Sequence, residues 1–352
     1  MKKSEAKQNR KRRRILIAFI MVLFTGIVLT ASTYAWFTAN RTVTVSSIDV
    51  NVSTSTGLQI STDATSWKSL ITNDDIHNAN WVGVTNQLPT KGLNGIMAPI
   101  STIGETDGAT GFMNMYKGTI VTNTDTGNNI LTAEKSTEKN GTSGDFVAFD
   151  LFFQSNEAHK IYLTEGSSVA ATAGGTDSGI QNAARVAFVV EGNVAYGSEP
   201  ATAQALKEAQ TPYIWEPNFD VHTAAGIDNA RNTYQLTTTA AGAGKIAYVG
   251  VKSNIAKENN VLLNSKDTQY FADVTTHESP ESGIPEATRM GAFDIKQGIT
   301  KVRVYMWVEG QDVDCEDKAS GGSLSFNLAF SIDGAKSCLL YTSDAADDRI
   351  SV

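Results

Sequence analysis

The sequence predicts an all-β protein: an antiparallel β-sandwich with long loop insertions and one short surface helix, preceded by an N-terminal signal helix. Three observations carry that expectation. Several runs alternate apolar and polar residues with period two, the stretches between them are rich in Gly, Thr, Ser and Asn, and one segment alone reads convincingly as helix. No internal repeat and no long Pro- or Gly/Ser-rich linker interrupts the body, so one elaborated domain is expected over residues 36–337.

Composition bounds the partners. Of 352 residues, 41% are hydrophobic, enough to fill a core. The formal net charge is −8, but residues 1–14 hold eight Lys/Arg against Glu5, so the remainder carries −15. An acidic body argues against nucleic acid as a partner, because phosphate binding needs a positive surface. The basic cluster belongs to the leader instead. There Lys11–Arg14 meets the apolar run Ile15–Leu29, followed by the small residues Ala31 and Ala35. That order is the one a signal peptide uses, and the cleavage region is expected around Ala31, Tyr34, Ala35 and Trp36, with residues 1–35 removed by a signal peptidase. The run is about 15 residues long, short of the ~20 that a spanning helix needs. Contact with the membrane is therefore expected only through this helix, and the protein is expected to be secreted to the extracellular matrix or cell surface. Counted through Phe37 the run lengthens enough to span, and the alternative is an uncleaved N-terminal anchor.

The elements follow in order. Arg41–Ser55 reads as a strand in which Val43 and Val45 share one parity and Ile48, Val50 and Val52 the other, with the phase slipping at Ser46-Ser47 as a β-bulge requires. Gly57–Ser61 is a second short strand. From Thr62 to Gly144 the composition favours turns, and so long an insertion is expected to carry short strands or a helical turn of its own. Asp145–Gln154 is apolar on nearly both faces and is expected to be covered on both. His159–Glu165 follows a link short enough for a hairpin. Ile180–Glu191 is another strand, Pro200–Gln210 the helix, and Lys245–Lys252 a further strand. In Ile299–Val308 the apolar residues Val302, Val304, Met306 and Val308 oppose Lys301, Arg303, Tyr305 and Trp307. Ser323–Ile332 alternates cleanly, and the last two strands are expected to pair antiparallel across Glu309–Gly322.

Catalytic signatures are sought without success. The four histidines, His77, His159, His222 and His277, are widely spaced, and the stretch after His277 has Pro280 and no second His, so it is not a zincin helix. Thr238–Ile246 imitates a phosphate loop but lacks its first Gly and its closing Ser/Thr and precedes a strand. No Gly-x-Ser-x-Gly elbow or Cys-x-x-Cys pair occurs, and the chain is not expected to be an enzyme. One loop, Glu309–Asp317, is strongly acidic. Extended, it puts Asp312 and Asp314 on one side as hard oxygen ligands for calcium, while the plainer expectation is a solvated acidic loop and no cofactor. Trp67, Trp81, Trp215 and Trp307 are the candidate stacking platforms of an alternative reading, a monomeric adhesin or carbohydrate-binding sandwich. The last fifteen residues, Cys338–Val352, resemble the translated end adapter of a sequencing library and are expected not to belong to the native chain, which leaves Cys315 as its cysteine.

The junction Thr33-Tyr34-Ala35-Trp36-Phe37-Thr38, with its basic leader and the alternating strand after it, resembles the signal region of the TasA/camelysin (CalY) family. The likeness covers roughly residues 10–60 and, more weakly, Ser323–Ile332. It implies processing by the SipW type of signal peptidase, a jelly-roll sandwich, and a role as a biofilm-matrix fibre protein of Gram-positive bacteria. It also implies self-association, with Val43, Val45, Ile48, Val50 and Val52 on a strand donated to a neighbouring subunit, and contacts with other matrix or surface proteins. Camelysin-like proteins have been described as metallopeptidases, which the resemblance leaves as a lesser alternative.

Overall fold

The computed structural model describes residues 43–52, 57–79, 86–89, 97–173, 178–233, 244–262, 267–278, 291–316, 319 and 321–332. Among these the chain runs through β1 (Thr44–Val52), β2 (Gln59–Ser61), β3 (Leu70–Ile71), β4 (Pro99–Ser101), β5 (Met115–Thr122), β6 (Asn129–Ser136), β7 (Val147–Ser155) and β8 (His159–Leu163). It continues through β9 (Ser168–Ala173), β10 (Ala184–Val194), β11 (Tyr213–Trp215), β12 (Val249–Val251), β13 (Phe271–Asp273), β14 (Phe293–Ile295), β15 (Gly298–Glu309) and β16 (Ser323–Ser331). The protein is mostly β, as its alternation predicts.

Two sheets face each other. The smaller has the order β14-β8-β16-β1-β3, with β9 lying beside β16 beyond the end of β8. The larger has the order β11-β10-β15-β4-β5-β6, with β7 also paired to β15 and β2 to β7. Ile48, Val50, Leu324, Phe326, Leu328 and Phe330 of the first pack against Val147, Phe149, Leu151, Val186, Val302, Val304 and Met306 of the second in one core. At its centre Phe153 of the large sheet meets Phe293 and Phe330 of the small one edge to face, at 5.2 Å and 5.4 Å, and Phe188 meets Phe330 edge to face and Phe293 at a tilt. A smaller core lies between the β5–β6 hairpin and the β12–β13 ribbon, around Tyr116, Leu131, Val251 and Phe271.

The bulge expected in the first strand is present: its pairing with β16 shifts register between Val45 and Ser47. The long insertion after Thr62 carries β3 to β6 and the helix Asn73–His77. β7 is buried along both faces, because the core lies on one side and the insertions on the other.

Several expectations need correction. β15 and β16 do not pair: β15 lies between β10 and β7 in the large sheet, whereas β16 belongs to the small one. The link at Asn156-Glu157 likewise carries the chain from one sheet to the other instead of closing a hairpin. The sandwich is mixed and not purely antiparallel, since β1 runs parallel to β16 and β15 parallel to β4. Period two identifies a strand but says nothing of its partner, and segments far apart in sequence are free of hairpin geometry. The helix at Pro200 ends at Gln204, and among the described residues it is one of three short α-helices, with Asn73–His77 and Ala224–Asp228. Tertiary contacts override propensity there: the carbonyls of Gln204 and Leu206 accept from Lys301 Nζ at 3.1 and 2.9 Å, and the amides of Glu208 and Gln210 donate to Glu191 and Val190 of β10. The strand expected over Lys245–Lys252 shortens to β12.

Gly298 opens β15 at φ +112°, and a Cβ there would stand 2.1 Å from the carbonyl oxygen of Val194. Gly298→Ala is expected to destabilise the fold by about 2 kcal/mol, from left-handed strain and the forced shift of the end of β10. Chemical denaturation reads this as a lower midpoint at unchanged slope.

Candidate functional site

Two features stand out. The first is the strand β1. It lies inside the small sheet, with β16 along its full length on one side and two residues of β3 on the other. Ile48 and Val50 are fully buried and Val52 nearly so, while Val45 packs on the margin of the core and Val43 bridges to Met97. Each such side chain contributes about 1.5–3 kcal/mol on burial. The outward side is held by small polar contacts, Ser46 Oγ donating to the Leu324 carbonyl at 3.0 Å and Asn51 Nδ2 to Asn327 Oδ1 at 3.3 Å.

The second is a layer of buried charge on the covered, outer face of the large sheet. Strand parity sends Arg185 and Glu191 of β10, Lys301, Arg303 and Glu309 of β15 and Asp150 of β7 to the side opposite the sandwich core, where the insertions bury them. Arg303 Nη1 donates to Asp150 Oδ1 at 2.7 Å across the strand pair, and Arg303 Nε and Nη2 grip Glu138, with Phe112 stacked over the guanidinium. Arg185 is fully buried. Its Nη1 donates to the carbonyls of Asn182 and Ala184, and its Nη2 to Glu216 Oε1 at 2.7 Å and Asp312 Oδ2 at 2.5 Å.

The acidic loop closes over Arg185 and is a buried lid, not a solvated loop: among Glu309, Gln311, Asp312, Asp314 and Glu316 none is more than 6% exposed. Successive turns fold it back, Asp312 N reaching the Glu309 carbonyl and Cys315 N the Asp312 carbonyl. The two aspartates consequently do not point together into solvent. Asp312 Oδ1 accepts from the Asp314 amide. Asp314 Oδ1 accepts from the amide and hydroxyl of Thr223, and its Oδ2 faces His222 Nδ1, all three contacts at 2.8 Å. Gly226 permits this approach, since a Cβ there would fall 2.3 Å from Asp314 Oδ1. His222 Nε2 lies 3.2 Å from the carbonyl oxygen of Gly244. An acceptor at each ring nitrogen favours the doubly protonated form of His222. Burial opposes that charge, but the hydrogen bond and charge of Asp314, with Asp312 behind it, hold its pKa above the ordinary imidazole range.

Burial opposes charge on the carboxylates too, and for an acid that raises the pKa. It raises Glu309 to about 7, although Ser101, Trp307, the Gln311 amide and Arg185 favour its ionised form. It raises Asp312 to about 6, with Asp314 and Glu216 adding repulsion and Arg185 opposing.

Of the residues singled out in the sequence, Ala31, Tyr34, Ala35 and Trp36 lie outside the described residues, as do Trp81 and Cys338–Val352. Trp215 and Trp307 are fully buried and offer no stacking face, and Trp67 is half-buried against Phe152. Among the described residues no group of three or more His, Cys, Asp or Glu is disposed to hold a metal ion, and no helix is long and apolar enough to cross a membrane. Arg185, Glu216, Glu138 and His222 were not legible as a set, because their partners are distant in sequence. The available signal was the set of charges placed mid-strand in otherwise apolar runs: Asp150, Arg185, Lys301 and Arg303. Fold and buried layer together define a β-sandwich sealed on its second face by ion pairs. No protein-family model, curated protein or solved structure matches this chain.

Proposed function

We propose that the chain is an exported structural subunit that forms or decorates cell-surface or biofilm-matrix fibres by exchanging β1 between subunits, in a sandwich of jelly-roll type. The observation that carries this reading is the position of β1. It follows directly on the leader and fills a slot between β16 and β3 with Val43, Ile48, Val50 and Val52. Vacating the slot exposes an unpaired edge of β16 above open apolar core, a template that the same strand from a neighbouring copy satisfies with identical contacts. Head-to-tail exchange of this kind does not close on itself and builds a filament. Removal of the leader by a signal peptidase frees the end of the strand for the transfer.

The test is a reversible lock. Asp49 and Asn327 are register partners on β1 and β16, so Asp49→Cys with Asn327→Cys ties the strand to its own subunit. The mature oxidised variant is expected to sediment as monomer and to polymerise once reduced, whereas the unlocked parent forms filaments. Filaments from the oxidised protein, or none from the parent, overturn the reading. Deleting residues 36–55 is expected to abolish assembly as well.

A further inference from the structure

Lys301 lies on β15, Glu191 on β10 and Asp150 on β7, three neighbouring strands with β15 in the middle, and all three side chains occupy the covered face of the large sheet. None is more than 6% exposed. The register shift between Val190 and Gly192 places Glu191 at a β-bulge, which turns its carboxylate toward Lys301. Lys301 Nζ stands 2.8 Å from Glu191 Oε2 and 3.4 Å from Asp150 Oδ2. As an ion pair this is badly balanced, because the ammonium also donates to the carbonyls of Gln204 and Leu206 and has three protons for four acceptors. Asp150 Oδ2 and Glu191 Oε1 are buried without a hydrogen-bond partner among the described residues. The two oxygens of Asp150 differ: Oδ1 is fixed by Arg303 Nη1 at 2.7 Å, and Oδ2 is the one that faces the lysine.

We propose that Lys301 and Asp150 are joined by an intramolecular amide bond, formed by the protein on itself with Glu191 as the proton carrier. Glu191 takes a proton from Nζ, and the freed lone pair attacks Cγ of Asp150. The negative charge of the tetrahedral adduct rests on Oδ1 beside the Arg303 guanidinium, which serves as its oxyanion partner. The bond from Cγ to Oδ2 breaks, and Oδ2 departs as water with the two protons that Nζ gives up, relayed by Glu191. Ammonium plus carboxylate becomes amide plus water, and Glu191 ends as it began. The site supplies what the step needs: a desolvated lysine, reactants already in contact, and a water-excluding cover. Burial, with the charge of Asp150 adding and Lys301 and Arg303 opposing, pushes Glu191 up to about 7, where a carboxyl both accepts and returns a proton near neutrality. Condensation removes one buried cation and one buried anion together and leaves an amide N–H for a backbone carbonyl.

The bond clamps β7 to β15 covalently and encloses the chain between residues 150 and 301, whether or not the protein polymerises. The intact mass of the purified protein is expected to fall short of the calculated mass by one water, and proteolysis to release a branched peptide holding Asp150 and Lys301. Asp150→Asn is expected to close with loss of ammonia and reach the same linked mass, while Glu191→Gln and Lys301→Arg keep their full calculated masses. Linked protein also runs faster in a denaturing gel than the Glu191→Gln variant. A folded parent protein at full calculated mass overturns the proposal, as does a loss of water without the branched peptide. Should Glu191→Gln fail to fold, the mass and branched peptide of the parent protein decide alone.

Discussion

Arg185→Ala is expected to lower the unfolding free energy by about 3–5 kcal/mol, read by chemical denaturation as a large drop in midpoint. The guanidinium satisfies Glu216, Asp312 and two backbone carbonyls at once from a fully buried position. Removing it leaves two carboxylates in a site closed to water, and that uncompensated charge, more than any lost attraction, sets the size of the effect. Arg185→Lys is expected to recover only part of the loss, because a point-like ammonium does not span all four acceptors. Adding Glu216→Gln and Asp312→Asn to Arg185→Met is expected to recover most of it, since the charges then leave together.

The second large effect is on pH. Glu309 is raised from 4.5 to about 7 and Asp312 from 3.8 to about 6, so between those limits the folded state holds more protons than the unfolded chain. Stability from these groups is complete below the unfolded values and is lost as pH rises through the folded ones. Each shift corresponds to a few kcal/mol, at ~1.4 kcal/mol per pKa unit. His222, also raised, acts in the same direction. Asp63, lowered to about 2 by the hydroxyl and amide of Thr65, the amide of Ser66 and the hydroxyl of Ser61 against the opposing pull of burial, contributes the other way and loses its stabilisation only at strongly acid pH. The melting temperature is therefore expected to peak at about pH 4, where the unfolded carboxylates begin to ionise, and to fall toward pH 8. Glu309→Gln is expected to flatten that fall. A melting temperature that climbs steadily from pH 5 to pH 8 contradicts the account.

Much of the fold was legible because strand periodicity is local. The slip at Ser46-Ser47, the two apolar faces of β7 and the inward row Leu324, Phe326, Leu328, Phe330 are each visible within ten residues of sequence and present in the structure. Pairing was not legible, since nothing in β15 or β16 encodes which strand it meets. The loop from Glu309 to Glu316 was misread for a related reason. Five acidic or amide side chains within eight residues read as solvated, and only the spatial arrival of Arg185, Thr223 and His222 makes their burial tolerable. The same holds for Lys301, whose carboxylate partners come from two other strands.

The parallel pairing of β1 with β16 joins residues 278 positions apart, as in the contact of Ser46 with Leu324. Contacts of such separation form late, because the entropy of closing the intervening chain is lost before the pairing returns anything. The sheet that holds β1 accordingly stays open until nearly the whole polypeptide is available, and β1 waits beside a half-built sandwich with its apolar side uncovered. Were the chain exported as proposed, that delay would keep it extensible during passage and defer compaction to the far side. Under the proposed exchange of β1, it would also set the interval in which a neighbouring copy competes for the strand.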